Sequence, residues 1–171
     1  GVVAADGTSA TFTGPECNAW AGGRSGPGYA VQGNILTGEP VVAAMERAFL
    51  ASAGKPLAER LYAALAAGDA AGGDSRGKQS AVLLVSRAGG GYGAFDDRAI
   101  DIRVDDHKEP IVELGRLVGL ALVNDLWNRG WAASRSRTCC VARADRFATR
   151  GAGPASAKAP TRWPPVNARS R

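Results

Sequence analysis

Apolar positions recur at intervals of two, then of three to four, then again of two and of three to four along the first 127 residues. The two periods separate a strand, whose side chains alternate between faces, from a helix with one apolar stripe. Between Tyr29 and Leu36, Tyr29, Val31 and Ile35 fall on one side and Gln32 and Asn34 on the other, which predicts a half-buried strand with a polar face. Val41, Met45, Ala48, Phe49 and Ser52 then share a helical stripe, as do Leu57, Leu61, Ala64, Leu65 and Gly68. Two helices are predicted, with Pro40 and Pro56 in first turns, where a missing N–H costs nothing. The short run Ala81-Val82-Leu83-Leu84-Val85 has no polar face and is bounded by turn residues, so a strand covered on both faces is expected. Alternation returns with Ile100, Ile102 and Val104 inward, opposite Asp101, Arg103 and Asp105. A third helix starts near Pro110 and would bury Ile111, Leu114, Val118, Ala121 and Leu122.

Turn residues punctuate these elements. Asp6-Gly7 lies between two short apolar runs and predicts an opening hairpin on a two-residue loop, since that pair tolerates positive φ. Gly14 to Gly28 is crowded with Gly and Pro and reads as a long loop anchored by Trp20. Beyond Trp127 no window keeps either period, and Arg, Ala, Ser, Pro and Gly dominate, as in a GC-rich gene read in a shifted frame. The expected organisation is one α+β domain over 1–127 and a basic, largely disordered tail over 128–171.

Charge sharpens that division. Residues 1–127 hold 11 Lys/Arg against 15 Asp/Glu, whereas 128–171 hold 10 Lys/Arg against Asp145 alone, so the formal net charge of +5 comes from the tail. Such a tail is attracted to phosphate. It carries only Trp131, Phe147 and Trp163 as stacking groups, which ranks nucleic-acid contact last among the functions considered. Cys17 stands alone and Cys139 beside Cys140, a pattern that fits neither a disulfide framework nor a zinc site. A reducing, cytoplasmic setting is expected. No apolar run approaches the ~20 residues of a membrane span. Gly1 to Gly14 lack a signal-peptide pattern, although a chain that begins at Gly1 is compatible with a signal on a longer product.

Gly72-Gly73-Asp74-Ser75-Arg76-Gly77-Lys78-Gln79 nearly matches a phosphate-binding loop, but Gln79 replaces the magnesium-binding hydroxyl. That loop must also follow a strand and open a helix, whereas the predicted order here is helix, loop, strand. His107 is the single histidine, so multi-histidine metal sites are excluded. Between Asp105-Asp106 and Pro110 it is expected to close the turn into the third helix. Asp101, Arg103 and Asp105 form a charge ladder on one strand face. Cys17 has beside it Glu16 and nothing to lower a thiol pKa, so it reads as structural.

Five ordered segments carry a resemblance: Trp20-Ala21-Gly22, Gly26-Pro27-Gly28-Tyr29, Gln32-Gly33-Asn34-Ile35-Leu36, Gly73-Asp74-Ser75-Arg76-Gly77-Lys78-Gln79-Ser80, and Asp101-Ile102-Arg103-Val104-Asp105-Asp106-His107. Together they resemble the family designated domain of unknown function 1028, over about Val2 to Val118. The resemblance implies the N-terminal-nucleophile (Ntn) hydrolase superfamily: an αββα four-layer sandwich with a Thr, Ser or Cys nucleophile at the mature N-terminus. Such an enzyme uses its own terminal amine as general base and works without histidine or cofactor. The family's opening segment, with its first strands and nucleophile, would precede Gly1. The expectation is therefore a sandwich incomplete at its N-terminal edge and a fragment inactive by itself.

By the same logic Asn34 is the candidate oxyanion donor, and Asp74 and Arg76 orient a substrate carboxylate or the nucleophile. Gln32, Gln79, Ser80 and Arg103 are the candidate substrate-binding neighbours. The competing reading is loop architecture, because Asp and Arg in tight turns commonly bond to backbone. Three functions follow in order: an amide hydrolase acting on a small-molecule amide, a non-catalytic binding or assembly module, and nucleic-acid contact through the tail. A homo-oligomer is compatible with the first two.

Overall fold

The structure, a computed structural model, describes the backbone of residues 1–148 and the side chains of residues 1–130. Strand β1 (Val2–Val3) pairs with β2 (Ser9–Ala10) in the register Val2 to Ala10 and Val3 to Ser9. Five residues, 4–8, lie between them, and with Ala4 and Thr8 hydrogen-bonded the turn itself has three rather than the expected two. Ala4 N–H donates to Thr8 O, Gly7 N–H donates to Ala4 O, and Asp6 Oδ1 accepts the Thr8 N–H. Gly7 takes φ 87, so a tight turn ends in a left-handed glycine that shifts the register by one.

Strands β3 (Gly22–Gly26) and β4 (Tyr29–Gly33) form a second hairpin across Pro27-Gly28. Residues 22–26 thus leave the long loop that the Gly-rich pattern predicts. Their intrinsic strand preference is low, but close packing selects glycine there. A Cβ at Gly22 would lie 2.5 Å from Trp20 Cη2, and one at Gly23 2.9 Å from Thr11 Cβ.

Helices α1 (Glu39–Ala51) and α2 (Leu57–Ala70) follow on the predicted stripes, burying Val41, Val42 and Phe49 from one and Ala58, Ala64 and Gly68 from the other. Arg60 stacks its guanidinium 3.9 Å over the Phe49 ring, and Tyr29 meets that ring at 5.5 Å. Arg24 on β3 reaches Glu39 and Glu46, and the Tyr29 hydroxyl donates to Glu46, so the second hairpin is tied to α1.

Strands β5 (Ala81–Ser86) and β6 (Arg98–Val104) pair from Ala81–Val104 to Ser86–Arg98, with a register shift between Val85 and Ser86. The core collects Leu83, Ile100 and Val104 from this sheet, Ala58 from α2, and Leu114 and Val118 from α3 (Pro110–Ala148). Helices cover only one face of β5. Leu83 is 4% exposed, but Val82 and Leu84 are 59% and 54% exposed, opposite Arg103 and Asp101 in the register. The expectation of a strand covered on both faces is therefore corrected, because a continuous apolar run does not say how many layers surround it.

Helix α3 runs on past Trp127, where the apolar period stops; Ala and Arg carry a helical backbone without a stripe. The chain divides into compact units over 1–134 and 135–171. In the second, residues 135–148 are helical, and 149–171 lie outside the described residues. Mixed helices and antiparallel hairpins establish an α+β fold. Among the described residues no helix is long and apolar enough to cross a membrane.

Candidate functional site

Beyond β4 the chain turns sharply at Ile35, whose φ of 59 is unfavourable for a β-branched residue. Four backbone hydrogen bonds hold it there. Trp20 and Leu36 exchange N–H···O bonds of 3.3 and 2.9 Å, Thr37 N–H donates to Gly73 O, and Ser75 N–H donates to Ile35 O at 2.8 Å. An isolated antiparallel bridge joins Leu36 to Asp74. Segment 34–37 is thereby stitched to the 73–75 loop, although nearly forty residues separate them.

Asp74 organises that loop. Its Oδ1 accepts the Arg76 backbone N–H at 2.8 Å and Nε at 3.0 Å, and its Oδ2 accepts Arg76 Nη2 at 2.7 Å. The Arg76 side chain, then its backbone N–H, holds the Asp74 carboxyl down to about 2. The guanidinium pKa is raised in return by the Asp74 hydrogen bonds. This is the loop architecture that competes with a site role, yet Nη1 of Arg76, a residue that lines the cleft, takes no part in it.

Lys78 donates to Asp69 at the end of α2 and pairs with Glu109 before α3, at 2.8 and 2.7 Å, which raises its pKa. Gln79 Nε2 donates to Asp106, and Gln79 O accepts the His107 N–H. His107 Nδ1 accepts the Glu109 N–H at 3.0 Å, the turn-closing role expected of it.

These groups surround a cleft of about 950 Å³. Gln32, Asp74, Arg76, Gln79 and Ser80 line it together with Lys78, Asp106, His107 and Lys108, over a floor of Leu36, Val41, Met45, Leu65 and Ile111. Asn34 is exposed and is not among the lining residues. Arg103 lies apart, pairing with Asp105 at 3.2 Å and lining a smaller recess beside Val82. Lys78 and Lys108 enter the site without having been named as site residues, although Lys78 lay in the near-match to a phosphate-binding loop and in a family segment. Cys17 is exposed, not half-buried as expected of a structural cysteine, and lies outside the cleft. Among the described residues no group of His, Cys, Asp and Glu could hold a metal. No hydrogen bond joins Ser80 to His107, whose Nδ1 is already engaged. The cleft can therefore orient a ligand carrying charges of either sign, but it shows no activated nucleophile.

A second hollow, of about 470 Å³, runs between β4 and β5 and is mostly apolar, lined by Val3, Val31, Phe49, Leu61, Val82 and Leu84 among others. Each of its two strands is paired on one edge only, β4 with β3 and β5 with β6. Of the tail's charged residues Arg129 is described, pairing with Asp125 at 3.8 Å; the others, like Trp131, Phe147 and Trp163, lie outside the described side chains.

No curated protein matches the chain. The crystal structure of protein SPO2555 from Silicibacter pomeroyi, assigned to the DUF1028 family model, is similar at 30% identity with a TM-score of 0.57. The match covers 68% of this chain and 48% of that one, so the chain spans about half the length of that relative. The family model described as "Family of unknown function (DUF1028)" matches residues 1–114. On that match and that likeness, the chain belongs to the DUF1028 family, whose function is unknown.

Proposed function

We propose that the chain is part of an amide hydrolase of Ntn type, supplying the substrate cleft without the nucleophile. The observation that carries this reading is the convergence of Gln32, Asp74, Arg76, Gln79 and Ser80 on one cleft, from the end of β4 and from the loop before β5. Arg76, fixed by Asp74, presents its open edge to a substrate carboxylate. Gln32, Gln79 and Ser80 supply neutral donors and acceptors around the amide; Asn34, outside the lining, stays the oxyanion-donor candidate only if the loop after β4 brings it to the substrate. The backbone of Gly1 packs against the Gln32 side chain, which borders the cleft.

The same reading takes the fold as an incomplete αββα sandwich. The β4–β5 groove, with its unpaired strand edges and exposed Val82 and Leu84, is where further strands of the sandwich would pair. The chain's 48% coverage of the relative supports a larger whole. Reading the DNA upstream of the Gly1 codon tests the proposal: an in-frame Thr, Ser or Cys just after a start codon is expected. A coding sequence that offers none turns the assignment to a second reading, a non-catalytic binding module. That reading is favoured by the mutual pairing of the cleft's charges and by the absence of an activated nucleophile among the described residues.

A further inference from the structure

The cleft holds charges that its own pairing does not use up. Asp69, Asp74 and Asp106 line it against Arg76, Lys78 and Lys108, acids and bases in equal number. Asp74 is matched with Arg76, and Asp69 with Lys78. One residue of each sign is left over. Among the described residues Lys108 takes part in no hydrogen bond or ion pair, and Asp106 accepts only the neutral Gln79 amide, at 3.2 Å on Oδ1. Arg76 also keeps Nη1 outside its fork with Asp74.

The two unmatched residues flank His107 on a turn whose backbone is fixed. His107 N–H donates to Gln79 O, its Nδ1 accepts the Glu109 N–H, and Pro110, which follows, is fully buried. Asp106 and Lys108 make no ion pair with each other, so a ligand does not have to break one to engage them. Beneath them the floor offers apolar surface from the half-buried Leu36, Met45 and Leu65.

Resting on the amide-hydrolase reading, we infer that the ligand of this cleft is a short peptide with both termini free. Its ammonium pairs with Asp106 Oδ2, its carboxylate with Lys108 and Arg76 Nη1, and an apolar side chain lies over Leu36, Met45 and Leu65. Equal numbers of acids and bases give the cleft no preference for net charge, whereas one spare charge of each sign is complementary to a zwitterion. A blocked amine or a blocked carboxylate would leave one of those charges facing the ligand without a partner. The volume of about 950 Å³ is also more than a single amino acid fills.

NMR chemical-shift titration of the full chain with leucyl-leucine tests this. Saturable binding with a Kd of ~0.1–1 mM is expected of a small ligand held at two charged ends. N-acetyl-leucyl-leucine and leucyl-leucine amide each lack one terminal charge and should bind at least ~10-fold more weakly, as should seryl-serine, which has no apolar group to set on the floor. Lys108→Met should weaken leucyl-leucine ~10-fold and leave the amide unchanged, and Asp106→Asn should weaken leucyl-leucine and spare the N-acetyl form. Both residues are exposed, so neither change touches the core. No saturation by ~10 mM, or a free peptide bound no better than either blocked one, overturns the inference. An upstream sequence without a nucleophile would remove the hydrolase and leave this binding in place, whereas failed binding beside an upstream nucleophile would remove only the peptide.

Discussion

The polar cleft and the apolar groove share a wall: Gln32, Met45 and Leu65 border both. They differ in how their demands are met. In the cleft, Asp74 is satisfied by Arg76 two residues away, Lys78 by Asp69 and Glu109, and Gln79 by Asp106. In the groove, Val82 and Leu84 remain exposed, and among the described residues β4 and β5 are each paired on one edge only. Short loops can satisfy their own charges because turns and ion pairs close over a few residues. A strand edge cannot satisfy itself, since each edge needs another extended segment alongside. Those cleft groups are consequently satisfied by local chemistry, whereas the groove face stays open among the described residues.

Stability measurements can break that contrast most directly. Leu114→Ala, in the core, should cost ~2–5 kcal/mol through lost burial and a cavity, whereas Leu84→Ala on the groove face should cost less than ~1 kcal/mol. Urea unfolding of the two variants measures both. Equal losses would mean that the groove face is covered in solution, by another chain or by residues outside the described ones.

A smaller effect should come from the cleft. The Asp74 carboxyl is held at about 2, below its usual 3.8, so its contribution to stability is fully present above the usual value and is lost as pH falls through about 2. Thermal melts of the parent and of Asp74→Asn between pH 5 and pH 2 should show a shallower acid decline in the variant. Because the group is exposed, the difference should be modest. Parallel curves would mean that the Arg76 fork does not hold in solution.

No effect at all is expected from Cys17→Ala on amide turnover. The purified chain should release no amine from N-acyl substrates, because its one described cysteine is exposed and outside the cleft. Turnover abolished by Cys17→Ala would move the chemistry away from the cleft altogether.

What the sequence determined by itself was whatever local period and turn chemistry decide. The stripes of α1, α2 and the start of α3, the inward Ile100, Ile102 and Val104, and the His107 turn all follow from spacing within one element. So does the rejection of a phosphate-binding loop at Gly72 to Gln79, since α2 precedes that stretch and β5 follows it. Tertiary structure alone decided the rest. Gly22–Gly26 became a strand because it pairs with β4 and because Trp20 and Thr11 pack against Gly22 and Gly23, where a side chain would not fit. Val82 and Leu84 stayed exposed because, among the described residues, no second layer lies over them, and a run of apolar residues looks the same with one layer or two. Arg76 and Gln32 met in one cleft while Arg103 fell outside it because backbone bonds from residues 20 and 73–75 bind the end of β4 to a distant loop. Those bonds carry no mark in the sequence, since any residue's N–H and C=O can make them.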